Sequence, residues 1–125
     1  MPFLDTGRTA VRNFLAGSSP TAPTTMLWGT SSDSVNQTDS TISAVDFSDS
    51  FVSVDSSVDR EVQWEGIILS TEATTSSFTQ VAIGTETTGT AGTLYLKEGF
   101  ATVVKNNTFD LQTLVISDVT REDGT

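Results

Sequence analysis

The sequence predicts an all-β fold: an antiparallel β-sandwich of about six to eight short strands with one short N-terminal helix. Three observations predict it. Short apolar or alternating segments recur roughly every ten residues along 24–115, with turn-forming residues between them. A helical apolar pattern occurs only near the N-terminus, so the strand–helix alternation typical of a parallel sheet is missing. Ser and Thr make up about 30% of the chain, and Thr favours strands whose outer face is hydrated.

The chain of 125 residues predicts one domain, 1–125, and begins with a helix predicted over 5–17. Asp5 or Thr6 is the expected N-cap, and Gly17 the expected end of the helix. The apolar positions recur at helical spacing: Ala10, Val11, Phe14 and Leu15. A Pro-rich loop over 18–23 follows, because each proline keeps its predecessor out of helical geometry.

The strands are expected in seven segments, which are 24–30, 47–54, 60–69, 78–83, 93–96, 100–104 and 109–115. Segments 78–83 and 93–96 are predicted to pair with each other. The last two segments are predicted to form a hairpin. Gly66 indicates a β-bulge, while Trp28 and Trp64 lie in apolar segments and are expected in the core.

Two connections are rich in turn-forming residues and are expected to face outward as exposed loops, Ser31–Ser40 and Gly84–Gly92. The residues singled out in them are Ser31, Asp33, Asn36, Thr87 and Gly89. Asn36 and Asn106 each begin a glycosylation acceptor pattern, which arises readily by chance in a chain so rich in Ser and Thr.

The composition excludes several chemistries, because the chain contains neither histidine nor cysteine. Zinc sites built on these residues, Ser-His-Asp or Cys-His catalysis, and disulfides are therefore ruled out. Acidic residues concentrate between Asp33 and Glu65, but no EF-hand spacing is present. Nothing selects Glu61 and Glu65 as a glycosidase pair either. We therefore expect no enzyme activity, no catalytic or metal-ligating residues and no cofactor.

The net charge of −10 argues against nucleic acid as a partner. About ten uncompensated charges would destabilise a small domain in dilute buffer, whereas molar salt would screen them, so one interpretation is adaptation to a saline cell interior. An ordinary acidic surface is the alternative. The longest aliphatic run is Ile67–Leu69 and the N-terminus lacks signal-peptide features, so we expect no membrane partner and a chain that stays in the cytoplasm where it is made.

Four segments carry a resemblance to a known family. They are the cap and helix of Asp5–Gly17, the strand of Ala22–Thr30 with its Gly-Thr end, Asp39-Ser40-Thr41-Ile42, and the Gly92–Phe100 hairpin start followed by Lys105 and a final alternating strand. Together they resemble small structural proteins of tailed viruses of bacteria and archaea. The chain departs from that family in the acidic stretch Ser43–Asp59 and at Ser31-Ser32, where a second Gly-Thr is customary.

The resemblance implies a virion building block without chemistry of its own, assembled in the host cytoplasm and located in the tail, the baseplate or the fibre attachment. A capsid decoration or turret protein is the alternative within that class, and a module that recognises host glycan or S-layer protein is the alternative outside it. The expected partners are other virion proteins and further copies of the chain. The expected docking residues are Arg8, Arg12, Phe14 and Leu15, although an intrachain partner for the two arginines is equally compatible with the sequence. With the acidic composition, the resemblance favours a haloarchaeal virus.

Overall fold

Two antiparallel sheets and one helix make up residues 3–118, the part of the chain that the computed structural model describes. The elements are α1 (Asp5–Leu15), β1 (Thr25–Gly29), β2 (Val45–Ser50), β3 (Ser53–Asp55), β4 (Glu61–Ile68), β5 (Ser77–Gly84), β6 (Leu94–Val104) and β7 (Leu111–Asp118). One sheet has the order β2-β1-β5-β6 and the other β3-β4-β7. The predicted all-β sandwich with one N-terminal helix is confirmed.

The main core lies between the two sheets and contains both tryptophans, as predicted. Trp28 of β1 is fully buried, and its indole Nε1 donates a hydrogen bond to Thr113 Oγ1 of β7 at 3.0 Å, which links the sheets. Gly66 pairs in regular register with Thr113, so the predicted bulge is wrong. The glycine instead makes room for β1, because a Cβ there would lie 2.6 Å from Met26 Sδ and 2.9 Å from the Trp28 ring.

A second core covers the outer face of the four-stranded sheet. Its buried members are Leu4, Leu27, Ile42, Ala82 and Leu94. Ile42 belongs to the connection between β1 and β2, which therefore packs on the sheet. All five residues of β1 are buried, because this strand faces a core on both sides. Its continuous apolar run in an antiparallel sheet follows from that double burial.

Several strand predictions are corrected. The segment 47–54 is divided between β2 in one sheet and β3 in the other, with the break at Phe51-Val52. Segments 93–96 and 100–104 form the single strand β6. The pairing of β5 with β6 is confirmed.

The predicted final hairpin is wrong, because β6 and β7 lie in different sheets. The turn between them is a crossover that Lys105 anchors. Its N–H donates to Ser76 O at 2.8 Å, and its buried ammonium donates to Asn106 O at 2.7 Å and lies 5.3 Å from the centre of the Phe109 ring.

The helix is shorter than predicted and begins differently. Leu4 is its N-cap and makes no side-chain capping bond, so the prediction of Asp5 or Thr6 as the cap is wrong. The N–H of Asp5 donates instead to Gln37 O at 3.0 Å. Gly17 follows the end of the helix with φ of 96°, the left-handed conformation that a terminating glycine adopts readily.

Candidate docking surfaces

The N-terminal half of α1 is fixed on the first residues of β6. Leu4 N–H donates to Tyr95 O at 2.9 Å, and the Thr6 hydroxyl donates to Leu94 O at 2.5 Å. Gly7 lies so close to the strand that a Cβ would be 2.6 Å from Tyr95 O. Beyond Ala10, which is 6% exposed, no described helix residue is buried. The helix is therefore held at one end only.

The C-terminal half of α1 presents an apolar surface to solvent. Phe14 is 66% exposed and Leu15 78%, and Val11 is also exposed. Arg12 is exposed three residues before Leu15, and its Nη2 donates to Asn13 Oδ1 at 3.2 Å. Arg8 is exposed one turn earlier in the helix. The predicted apolar stripe thus divides into Ala10, which packs inward, and three side chains that remain outside. We call Val11, Phe14 and Leu15, with Arg8 and Arg12, the helix patch.

A groove of about 470 Å³ lies between β6 and β7. These two strands belong to different sheets, and in the described part of the chain they are not paired by hydrogen bonds. Mostly apolar residues line it, including Val81, Phe100, Val103, Leu111 and Val115. Glu98 is the charged residue among its described lining. We call this the β6–β7 groove. The groove was not predicted from the sequence, because the predicted hairpin would pair these two strands and close the gap.

A sequence signal for this region was present in β7. Alternation along the strand places Leu111, Thr113 and Val115 on the core face and Leu114 and Ile116 on the opposite face. Leu114 and Ile116 are 48% and 43% exposed, at the rim of the groove. Two large aliphatic side chains on the outer face of an edge strand are typical of a surface that another molecule covers.

The first predicted loop carries exposed side chains, but hydrogen bonds hold its backbone on the sheet. The carbonyl of half-buried Ser31 accepts from the Thr79 hydroxyl, and that of Asp33 accepts from Gln80 Nε2 at 2.7 Å. The side chains of Asp33 and Asn36 face solvent, as expected. A fixed backbone with exposed side chains gives this loop a defined shape.

An ion pair fastens the same loop. Lys97 Nζ lies 3.0 Å from Asp39 Oδ2 and also donates to Thr41 O at 3.1 Å. The Lys97 side chain is only 7% exposed, against 24% for Asp39. The Asn36 backbone N–H, donating to the Asp39 carboxylate, and the nearby Lys97 ammonium together lower the pKa of Asp39 below its usual value. Lys97 thus serves the interior of the fold and is not available to an external partner.

The second predicted loop is only partly exposed. Thr87 faces solvent, as expected, but Gly89 is buried, so the prediction that Gly89 lies in an exposed position is wrong. Its φ of 77° brings the backbone onto Ile42, whose N–H donates to Gly89 O at 2.9 Å. A Cβ at Gly89 would lie 2.6 Å from Ile42 Cγ2, so the position requires glycine.

The acidic residues form no compact cluster in the described part of the chain. Glu61 and Glu65 lie on the same face of β4, four residues apart and half-buried. No group of three or more acidic side chains suited to a metal ion occurs among residues 3–118. Within the same range, no helix has the length and apolar character needed to cross a bilayer.

Comparison with protein-family models, curated proteins and solved structures gave no match to the chain. The features of the molecule that bear on its function are therefore the helix patch, the β6–β7 groove and the fixed loops.

Proposed function

We propose that the protein is a non-enzymatic structural component of a tailed-virus particle, in the tail, the baseplate or the fibre attachment, where it binds other virion proteins and further copies of itself. The observation that carries the proposal is the helix patch. Phe14 and Leu15 are 66% and 78% exposed on a helix whose other end is fixed to the sandwich. Clustered apolar side chains on a rigid support mark a protein interface.

The construction of the sandwich supports a building-block role. The chain's own 30–44 connection packs on the outer face of the four-stranded sheet, so the central strands β1 and β5 are shielded on both faces. The resemblance to small structural proteins of tailed viruses points in the same direction. A capsid decoration or turret protein would use the same kind of surfaces and remains the alternative within this class.

The charge distribution supports a virus of a halophilic archaeon. Lys97 and Lys105 are both buried, so the accessible surface is more acidic than the net charge of −10 suggests. We expect the free energy of unfolding to rise steeply between dilute buffer and about 1 M NaCl, where the Debye length is about 3 Å. Urea unfolding at a series of NaCl concentrations measures this, and full stability in dilute buffer would contradict the halophilic origin.

A host-surface recognition module is the second candidate, and one observation favours it. A shallow groove of about 530 Å³ lies beside the first loop, and its mixed lining includes five residues with hydroxyl side chains: Ser31, Ser32, Ser34, Thr79 and Thr102. Such hydroxyls are suited to hydrogen bonds with sugars. Saturable adsorption of the labelled protein to host cells would support this candidate, and its absence would leave the structural role.

Peptide mass spectrometry of purified particles tests the main proposal. Particles are banded on two successive density gradients, and the ratio of this chain to the major capsid protein is measured in each fraction. A host ribosomal protein serves as the control for carry-over. We expect a constant ratio across the particle band while the control declines. A chain that is present in the lysate but declines with the control contradicts the proposal.

A further inference from the structure

We propose that the helix patch of one copy docks into the β6–β7 groove of a second copy, with Phe14 and Leu15 entering the groove and Arg12 next to Glu98. This inference rests on the proposed structural role and names the partner that the helix patch binds. It joins the exposed apolar side chains Phe14 and Leu15 to a groove whose lining is mostly apolar.

The groove sets the chemistry of its occupant. Its walls are apolar, with Val81, Phe100, Val103 and Leu111 among the lining residues. The charged residue among its described lining is the exposed Glu98. An occupant that fills this groove would cover the Glu98 carboxylate, and a covered carboxylate without a positively charged partner is costly. The occupant must therefore carry both large apolar side chains and a positive charge.

The helix patch has that combination. Among the described basic residues, Lys97 and Lys105 are buried, and Arg60 lies 3.9 Å from Asp59, which balances its charge locally. Arg12 lies on α1 near the exposed Phe14 and Leu15, and its printed side-chain partner is the neutral Asn13 amide. Charge complementarity within a strongly acidic chain therefore selects α1 of another copy as the occupant.

A copy's own helix does not fill its own groove. Gly7 packs against Tyr95 and fixes α1 at the beginning of β6, while the groove begins at Glu98. Phe14 and Leu15 are 66% and 78% exposed, so neither side chain is buried in the groove of its own copy. Because both surfaces border the same strand, a two-fold arrangement places each helix in the groove of the other copy and forms the contact twice, which closes the assembly as a dimer.

The first experiment removes the apolar part of the contact. Sedimentation equilibrium of the purified full chain, in 0.15 M and 1 M NaCl, is expected to give twice the 13.3 kDa mass of one chain. Phe14→Ser with Leu15→Ser should weaken the association by at least about 100-fold, because each contact loses two apolar side chains. The matched control is Val52→Ser with Val58→Ser, two residues that are each 57% exposed elsewhere on the surface.

The second experiment exchanges the charges. In 0.15 M NaCl, Arg12→Glu and Glu98→Arg should each weaken the association by about 5- to 10-fold, and the two together should restore most of it. Arg60→Glu makes the same change in net charge away from the contact, so it reports the long-range repulsion alone and should weaken the association clearly less than Arg12→Glu. All substituted side chains are exposed, so circular dichroism is expected to match the parent protein.

Three results would overturn the inference: a monomer at 100 µM, an equal loss in either control, or no recovery in the double exchange. None of them bears on whether the chain belongs to the virus particle, which the particle experiment decides. Conversely, a dimer of a chain that is absent from particles would reject the proposed function and leave the docking geometry in place.

Discussion

Removal of the carboxylate from Asp39 tests whether the Lys97–Asp39 ion pair holds the 30–44 connection on the sheet. In Asp39→Ala the Lys97 ammonium, whose side chain is 7% exposed, keeps only the Thr41 carbonyl at 3.1 Å among its present hydrogen-bond partners. The backbone N–H of Asn36 also loses its acceptor at 3.0 Å. The variant should therefore be destabilised through a buried charge left without its counterion.

The magnitude follows from the exposure of the two partners. Removing one partner from a buried ion pair costs about 3–5 kcal/mol. Asp39 is 24% exposed, so water reaches the vacated position and reduces that cost. We expect a loss of about 2–4 kcal/mol in the free energy of unfolding. Lys97→Met should cost only about 1 kcal/mol, because the remaining carboxylate keeps the Asn36 N–H and partial solvent contact.

The double variant distinguishes an uncompensated charge from a simple loss of contacts. Asp39→Ala combined with Lys97→Met should be more stable than Asp39→Ala alone, because the unpaired ammonium is gone. Urea is the appropriate denaturant since it leaves the ionic strength unchanged, and the fluorescence of the buried Trp28 and Trp64 reports unfolding. Asp33→Ala, an exposed carboxylate of the same connection, is the control and should change stability by less than about 0.5 kcal/mol. An Asp39→Ala variant as stable as this control would refute the reasoning.

Three further predictions use the same urea assay. The pKa of Asp39 lies below 3.8 in the folded protein, so its carboxylate contributes fully to stability above pH 3.8, and this contribution is lost as the pH falls through the folded pKa. The difference in free energy of unfolding between the parent and Asp39→Ala should therefore shrink below pH 3.8, and a difference that stays constant would contradict this. Gly7→Ala should cost about 2–3 kcal/mol, because the new methyl group meets the Tyr95 backbone at 2.6 Å, and an unchanged midpoint would show that the helix shifts freely. Gly66→Ala should lower the free energy of unfolding by about 1–2 kcal/mol, less than Gly7→Ala, because the nearest atom, Met26 Sδ at 2.6 Å, belongs to a flexible side chain. A larger loss in Gly66→Ala than in Gly7→Ala would contradict this explanation.

Local sequence signals predicted the elements whose stability depends on neighbours along the chain. The helix ends before Gly17 as expected, and the pairing of β5 with β6 follows from two apolar segments joined by a Gly-rich connection. Alternation also placed Trp64 correctly in the core. In each case the residues that decide the structure are within about ten positions of one another, which is the range of hydrophobic periodicity and turn chemistry.

The predictions that fail depend on contacts between distant segments. The segment 47–54 alternates as one strand would, and only packing between the sheets decides that it divides into β2 and β3. The turn after β6 looks like a hairpin, but Lys105 directs the chain into the other sheet through its bond to Ser76. Gly89 has the composition of a loop and is buried because Ile42, more than forty residues earlier, packs on it.

The same distinction explains what the sequence disclosed about the candidate site. Arg12 and Leu15 are three residues apart in the helix, as are Val11 and Phe14, so these side chains are neighbours on its surface and the donor surface is visible in the pattern of residues. The β6–β7 groove is a gap between strands of two sheets, and no local pattern describes a gap. The helix patch was therefore predictable from the sequence, whereas its proposed counterpart required the arrangement of the strands.

The acidic charge determines which part of the proposed contact supplies affinity. Two chains of net charge −10 repel each other at long range, and one arginine–glutamate pair per contact does not offset that repulsion in dilute buffer. Screening in molar salt weakens the repulsion and the exposed ion pair together, while salts that are excluded from the protein surface strengthen apolar burial. Phe14 and Leu15 therefore provide the affinity, and Arg12 with Glu98 selects the orientation in which the helix enters the groove.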